Sequence, residues 1–286
     1  MKYDYLNPEA IDQFISRALR EDVGDGDHSS LGAFPQHIRQ KAQLLIKTDG
    51  ILAGVELAQH IFKQVNPELE VELLLKDGQA VQKGDIGLRV AGKASAILTA
   101  ERLVLNCMQR MSGIATYTHR LNSLIAGTKA RLLDTRKTTP NFRMCEKWAV
   151  HIGGGVNHRY GLFDMVMLKD NHVDYAGGVK QAVANVQAYL QEKGKQLRIE
   201  VETRNLQEVQ EALHAGGVDV IMLDNMSVEM MTEAVQMIDG RCETEASGGI
   251  TEETIAAIAR TGVDFISVGA LTHSAMPLDI SLKAVK

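Results

Sequence analysis

Apolar positions along the chain follow two rhythms, and each predicts a different architecture. Beyond residue 130, short apolar runs climb to a charged residue and then stop at a turn. They are Arg131-Leu132-Leu133-Asp134, Met165-Val166-Met167-Leu168-Lys169-Asp170, Leu197-Arg198-Ile199-Glu200-Val201-Glu202, Val220-Ile221-Met222-Leu223-Asp224, Cys242-Glu243-Thr244-Glu245-Ala246-Ser247 and Phe265-Ile266-Ser267-Val268-Gly269. Most are followed by a stretch long enough for a helix. Alternating strand and helix predicts a parallel sheet, because parallel strands need a crossover connection. In a β/α barrel the reactive groups sit at the C-terminal ends of such strands, so the residues closing these runs mark where chemistry is expected.

The first rhythm, upstream, is that of a smaller mixed sheet. Pro8 to Arg20 reads as a helix capped by Asn7, with Ile11, Phe14, Ile15, Ala18 and Leu19 on one face. Glu21 to Ser30 reads as an acidic, glycine-rich loop. Strands are expected over Ala42–Lys47, Glu70–Leu75 and Ile86–Val90, with a helix over Val55–Val65. Turn signals at Asp49-Gly50, Asp77-Gly78 and Lys83-Gly84-Asp85 separate them. Ala94 to Ile125 reads as a long helical tract with a break near Ser112-Gly113. With no Pro-rich or low-complexity linker, the two parts are expected to pack closely.

Length and composition leave this picture standing. A chain of 286 residues suits two domains, and 45% apolar with 23% charged residues is ordinary for a globular protein. The net charge of −5 argues against a general nucleic-acid or membrane surface, though a local cluster of cations can still hold an anion. No apolar stretch approaches the ~20 residues needed to cross a bilayer, and the first residues lack the apolar core of a signal peptide. Cys107, Cys145 and Cys242 are few, odd in number and far apart, as expected of reduced thiols in the cytoplasm. Cys145 as a nucleophile is the alternative.

Five constellations carry candidate chemistry. Asp134-Thr135-Arg136-Lys137-Thr138-Thr139-Pro140 offers two cations and three hydroxyls, which suit a carboxylate or phosphate, or else form a solvated turn. Gly153-Gly154-Gly155 lets the backbone turn sharply before His158 and Arg159. Lys169-Asp170-Asn171-His172 closes an apolar strand with a charge that must be solvated or paired. Glu200 and Glu202 share one strand face and Asp224 ends the next strand. These acids could converge on Mg2+ or serve as ion-pair partners for the cations. Ser247-Gly248-Gly249 and Val268-Gly269-Ala270 read as phosphate loops at helix starts, or as structural turns, with Thr251 marking a helix just beyond Gly249. Together they suit a rim that takes two anionic partners, one bearing phosphates and one bearing carboxylates. A barrel aldolase using Lys169 as a Schiff-base amine, a transferase for another acid and a non-catalytic metabolite sensor are the rival readings.

The same residues resemble a known family. Asp134-Thr135-Arg136-Lys137-Thr138, the run from Gly153 to Leu162, Lys169-Asp170-Asn171-His172 and Glu200-Val201-Glu202 are similar to motifs of the quinolinate phosphoribosyltransferases, type II phosphoribosyltransferases. Glu101-Arg102-Leu103, Asn106, Ser112-Gly113-Ile114-Ala115-Thr116, the acidic run from Glu21 to Asp27, and Asp264 with Ser267-Val268-Gly269 extend the resemblance over nearly the whole chain.

The resemblance implies an α/β protein: an N-terminal α/β sandwich over 1–112, an incomplete, seven-stranded α/β barrel over 113–273, and a tail, 274–286, returning to the first domain. It implies a pentosyltransferase that moves phosphoribose from phosphoribosyl pyrophosphate to quinolinate, releasing pyrophosphate and CO2 and giving nicotinate mononucleotide for NAD synthesis. By motif, Thr135, Arg136, Lys137, His158, Arg159 and Lys169 surround quinolinate. Glu202 and Asp224 serve the ribose and Mg2+, and Ser247, Gly248, Gly249, Val268, Gly269 and Ala270 hold phosphate. Lys137, Lys169, Glu202 and Asp224 are the expected catalytic groups, and Arg102 is expected to enter the partner's site in a homodimer. The chain departs from the pattern at Asn141, where glycine is usual, at His28-Ser29 and at Thr203.

Overall fold

The computed structural model describes residues 4–285. In chain order the first half holds α1 (Pro8–Val23), α2 (His28–Ala33), β1 (Arg39–Ile46), β2 (Gly50–Ile51), α3 (Val55–Val65), β3 (Glu70–Leu73), β4 (Ala80–Val81), β5 (Ile86–Lys93) and α4 (Ala94–Leu124). The second half holds β6 (Arg131–Leu133), α5 (Arg143–Ile152), β7 (Val166–Leu168), α6 (Asp170–Ala176), α7 (Val179–Lys193), β8 (Ile199–Thr203), α8 (Leu206–Ala215), β9 (Val220–Asp224), α9 (Val228–Ile238), β10 (Glu243–Ser247), α10 (Ile255–Ala259), β11 (Phe265–Ser267), α11 (Ala270–His273) and β12 (Ile280–Ala284). Two compact units result. One comprises Met1–His119, Lys137–Gly154 and Ala270–Lys286; the other comprises Arg120–Arg136 and Gly155–Gly269.

The first unit is built on an antiparallel sheet in the order β12-β1-β5-β3. Asn7 caps α1 as expected, its side chain accepting the Ala10 N–H at 2.9 Å, and Ile11 and Ile15 are buried on the inner face. The expected loop from Glu21 to Ser30 is shorter than the sequence suggests. α1 runs on to Val23, and Asp27 starts α2 by accepting the Ser30 N–H at 3.1 Å. The expected break at Ser112-Gly113 is absent, because α4 is one unbroken helix of 31 residues. A Cβ on Gly113 would run into the backbone of Met276 and Pro277. Glycine there serves close approach of a neighbouring segment, not a kink.

The second unit is a parallel sheet in the order β6-β11-β10-β9-β8-β7. All six apolar runs read from the sequence form its strands. β8 and β9 are buried along most of their length, as strands covered on both faces must be. β6, the first strand of this sheet in the chain, pairs with β11, the last, as in the cyclic strand order of a barrel, while β7 stays at an edge of the sheet, so the barrel is incomplete. The seventh strand shrinks to a single parallel bridge, Leu133 to Val156. The flanking backbone is spent elsewhere. Asp134 accepts the His158 N–H at 2.8 Å, and Asp164 accepts the Tyr160 and Gly161 N–H groups at 2.6 and 2.9 Å.

Candidate active site

The sheet lines up the ends of its strands, and with them the chemistry. Asp224 on β9 lies opposite Ser247 on β10, and Ser267 on β11 lies opposite Leu133 on β6. Thr135 and Arg136 therefore follow β6 at the same end where Lys169 follows β7, Glu202 stands next to the last residue of β8 and Val268-Gly269 follow β11. Thr135, Arg136, His158, Arg159, Glu202, Asp224, Ser247, Gly248 and Gly269 are half-buried, Lys169 and Gly249 are exposed, and Val268 is buried.

The cations at this end are held by polar partners and repel one another. Lys169 Nζ lies 3.3 Å from Glu202 Oε2 with half of its side chain exposed. It is thus ion-paired rather than the desolvated neutral amine that the aldolase reading needs. The Arg159 guanidinium donates to the Met165 carbonyl at 3.3 Å. Burial lowers its pKa, and the positive charge of Arg136 lowers it further. Two guanidinium groups that feel each other in this way form a site that an anion relieves.

Beneath them lies a cluster that the sequence reading only half saw. His158 Nε2 lies 2.8 Å from Glu200 Oε2 and 3.3 Å from Glu245 Oε2; the side chains are 8%, 0% and 1% exposed. The backbone N–H of Arg159 points at His158 Nδ1 at 2.8 Å, which leaves Nε2 facing the two carboxylates. Burial, followed by the negative charge of Glu245, pushes the Glu200 carboxyl up to about 7. Glu200 and Glu202 do share a face, as alternation requires, but at different depths: the first meets His158 and the second Lys169. Glu245 was within reach of the sequence, as an acid in mid-strand two positions before the loop Ser247-Gly248-Gly249. Asp134, fully buried, links two constellations by accepting from Asn157 Nδ2 at 2.7 Å and from the His158 N–H.

The loop after β10 differs from expectation. α10 begins at Ile255, not just beyond Gly249, because Thr251 and Thr254 close a turn first: the Thr251 N–H donates to Thr254 Oγ1 at 3.0 Å. Gly248 has φ 90°, and a Cβ on it would strike the Asn225 carboxamide. Asn225 itself, at φ 52°, donates its N–H to the Ser247 carbonyl at 2.9 Å. These two loops are bound to each other tightly enough that only glycine fits.

Arg102, Lys137 and Ala270 belong to the other unit, where Arg102 and Lys137 are exposed. The Lys137 segment is braced there. Thr272 Oγ1 donates to the Lys137 carbonyl at 2.8 Å, and buried Glu146 accepts both the N–H and the hydroxyl of Thr139 at 2.9 Å. Arg110 donates to the same Glu146 carboxylate at 3.1 Å. Cys145 is fully buried with its thiol pKa raised well above the ordinary value by that burial, which rules it out as a nucleophile.

Comparison with known proteins gives the family. Residues 27–112 match the family model described as quinolinate phosphoribosyl transferase, N-terminal domain, and residues 114–283 match the C-terminal domain of the same family. The chain belongs to the quinolinate phosphoribosyltransferase family. It is 51% identical over 284 residues to the nicotinate-nucleotide pyrophosphorylase [carboxylating], chloroplastic, of Arabidopsis thaliana, covering 94% of this chain and 81% of that one. It is 43% identical to a probable enzyme of that name from Synechocystis, covering 96% and 93% of the two chains. Among solved structures, NadC from Streptococcus pyogenes superposes with a TM-score of 0.91 at 40% identity, over 98% of this chain and 99% of that one.

Proposed function

We infer that the chain transfers phosphoribose from phosphoribosyl pyrophosphate to the ring nitrogen of quinolinate, with loss of pyrophosphate and CO2, giving nicotinate mononucleotide for NAD synthesis. Family membership over residues 27–112 and 114–283 supports this reading. The observation that carries it is the gathering of Arg136, Arg159 and Lys169 at the C-terminal end of the parallel strands, where the charge of Arg136 lowers the Arg159 pKa beyond what burial does. A dianionic acceptor gives such a rim its reason. Thr135, Arg136, Lys137, Arg159 and Lys169 are our assignments to the quinolinate side, with His158 supporting them from below. Ser247, Gly248, Gly249, Val268, Gly269 and Ala270 are our assignments to the donor's phosphates.

The chemistry follows from these charges. The ring nitrogen's lone pair forms the new bond to C1 of the ribose as the C1–oxygen pair leaves with pyrophosphate. No proton is removed in that step, so no general base is required. Lys137 and the backbone N–H groups of the glycine loops would stabilise the departing anion, and Glu202 and Asp224 the positive charge on the sugar. The alkylated nitrogen is cationic and accepts the electron density released as CO2 leaves the adjacent carbon, which then takes a proton. Holding two anions together against their repulsion is the protein's main contribution. Glu202 and Asp224 are hard oxygen donors at neighbouring strand ends and fit Mg2+, which takes few protein carboxylates and completes its shell with water and phosphate. When bound, Mg2+ supplies positive charge to the pyrophosphate group.

We further propose a homodimer in which Arg102 reaches the partner's site, and a cytoplasmic location consistent with three unpaired thiols. No helix among the described residues is long and apolar enough to cross a membrane. The deciding experiment incubates the protein with quinolinate, phosphoribosyl pyrophosphate and Mg2+. Nicotinate mononucleotide and an equivalent of CO2 are expected. Product formed from nicotinate without CO2, or no product at all, would overturn the reading.

A further inference from the structure

Glu245 stands out because simple electrostatics argues against it. It is 1% exposed, it lies with Glu200 against His158, and Oε1 of each carboxylate has no hydrogen-bond partner among the described residues. Buried carboxyl groups with unfilled hydrogen bonds are costly. Two of them beneath a pocket for a dianion would also repel the ligand. Their compensation is geometric. His158 has Nε2 committed to the two carboxylates and Nδ1 committed to the Arg159 N–H. Asp134 holds the N–H of His158 and the side chain of Asn157. The imidazole is therefore a strut between β8, β10 and the backbone from which the Arg159 side chain departs.

We propose that Glu245 is a positioning residue of the acceptor site, acting through the His158 ring to fix the Arg159 guanidinium. The proposal rests on the assignment of Arg159 to quinolinate. It goes further by giving a buried acid on β10 a role in acceptor binding without contact to the acceptor. Outer groups that orient a binding side chain act in this way when small displacements cost large factors in rate or affinity.

Kinetics on Glu245→Leu and Glu245→Gln test it, with both Michaelis constants and kcat measured. Leu removes the acceptor oxygen. The KM for quinolinate should rise about tenfold or more, the scale of one charge-assisted hydrogen bond. The KM for phosphoribosyl pyrophosphate should stay within about twofold. Gln keeps an acceptor of the same shape and should recover most of the loss. A quinolinate KM that is unchanged or lower in the Leu variant, as relief of repulsion alone would give, overturns the proposal. So does an equal rise in both constants, or a Gln variant no better than Leu. If the Leu variant does not fold, 15N spectra of the wild-type histidines decide: His158 must be the Nε2–H tautomer, and a proton on Nδ1 overturns the strut. Wild-type protein that fails to turn over quinolinate would instead refute the underlying assignment, so the two failures are distinguishable.

Discussion

Asn141 has φ 63°, a left-handed conformation that asparagine tolerates better than most residues and glycine adopts freely. Glycine is the residue that the resemblance implies at this position, and asparagine adopts the same backbone conformation while adding a side chain. Asn141→Val should therefore lower the unfolding free energy by about 1–2 kcal/mol in denaturant titrations, with Asn141→Gly near neutral. An unshifted midpoint for the Val variant would contradict the assigned backbone. Thr203 is a similar case: its buried hydroxyl donates to the Met222 carbonyl at 2.8 Å, so a polar residue replaces an apolar one at no hydrogen-bonding cost. At this scale the sequence names the charged groups but not their pairings. Lys169 with Glu202 and His158 with Glu200 and Glu245 are bonds between distant segments, which only the folded sheet brings together.

Among the elements, most of the parallel strands were legible as short apolar or alternating runs that stop at a turn, and β10, Glu243-Thr244-Glu245-Ala246-Ser247, was the least apolar of them. The seventh was not a run, and the structure reduces it to one bridge at Val156. The unbroken α4 and the late start of α10 were misread for local reasons: a glycine used for close packing, and threonine hydroxyls that outcompete the helix. Asp264, between α10 and β11, ties these strands together at the opposite end from the site. Its carboxylate accepts from Lys129 Nζ at 2.8 Å and from the N–H and hydroxyl of Thr244 at 2.9 and 2.8 Å. Burial raises its pKa, but these hydrogen bonds outweigh that and leave it lowered. A lowered carboxyl stabilises the fold above the ordinary carboxylate range and loses that contribution as pH falls through the folded value. Asp264→Asn should cost about 1–3 kcal/mol at neutral pH and flatten the acid limb of the stability curve. An acid limb identical to wild type would contradict the assignment.

For the whole molecule, the first unit is assembled from three separate stretches of chain, an arrangement set by long-range packing rather than by any local apolar pattern. The proposed sharing of Arg102 between subunits has a direct consequence. Arg102→Ala and Lys137→Ala proteins, each inactive alone, should regain part of the activity when mixed, and verified mixed dimers without recovery would contradict it. The account as a whole depends on a cationic rim that holds a doubly negative pyridine independently of the phosphate-bearing donor. The most direct test is the pair of Michaelis constants of Arg159→Ala, with Arg136→Ala beside it. Loss of one charged hydrogen bond, about 1.5–3 kcal/mol, should raise the KM for quinolinate tenfold or more and leave that for phosphoribosyl pyrophosphate nearly unchanged. Equal changes in the two constants would contradict it.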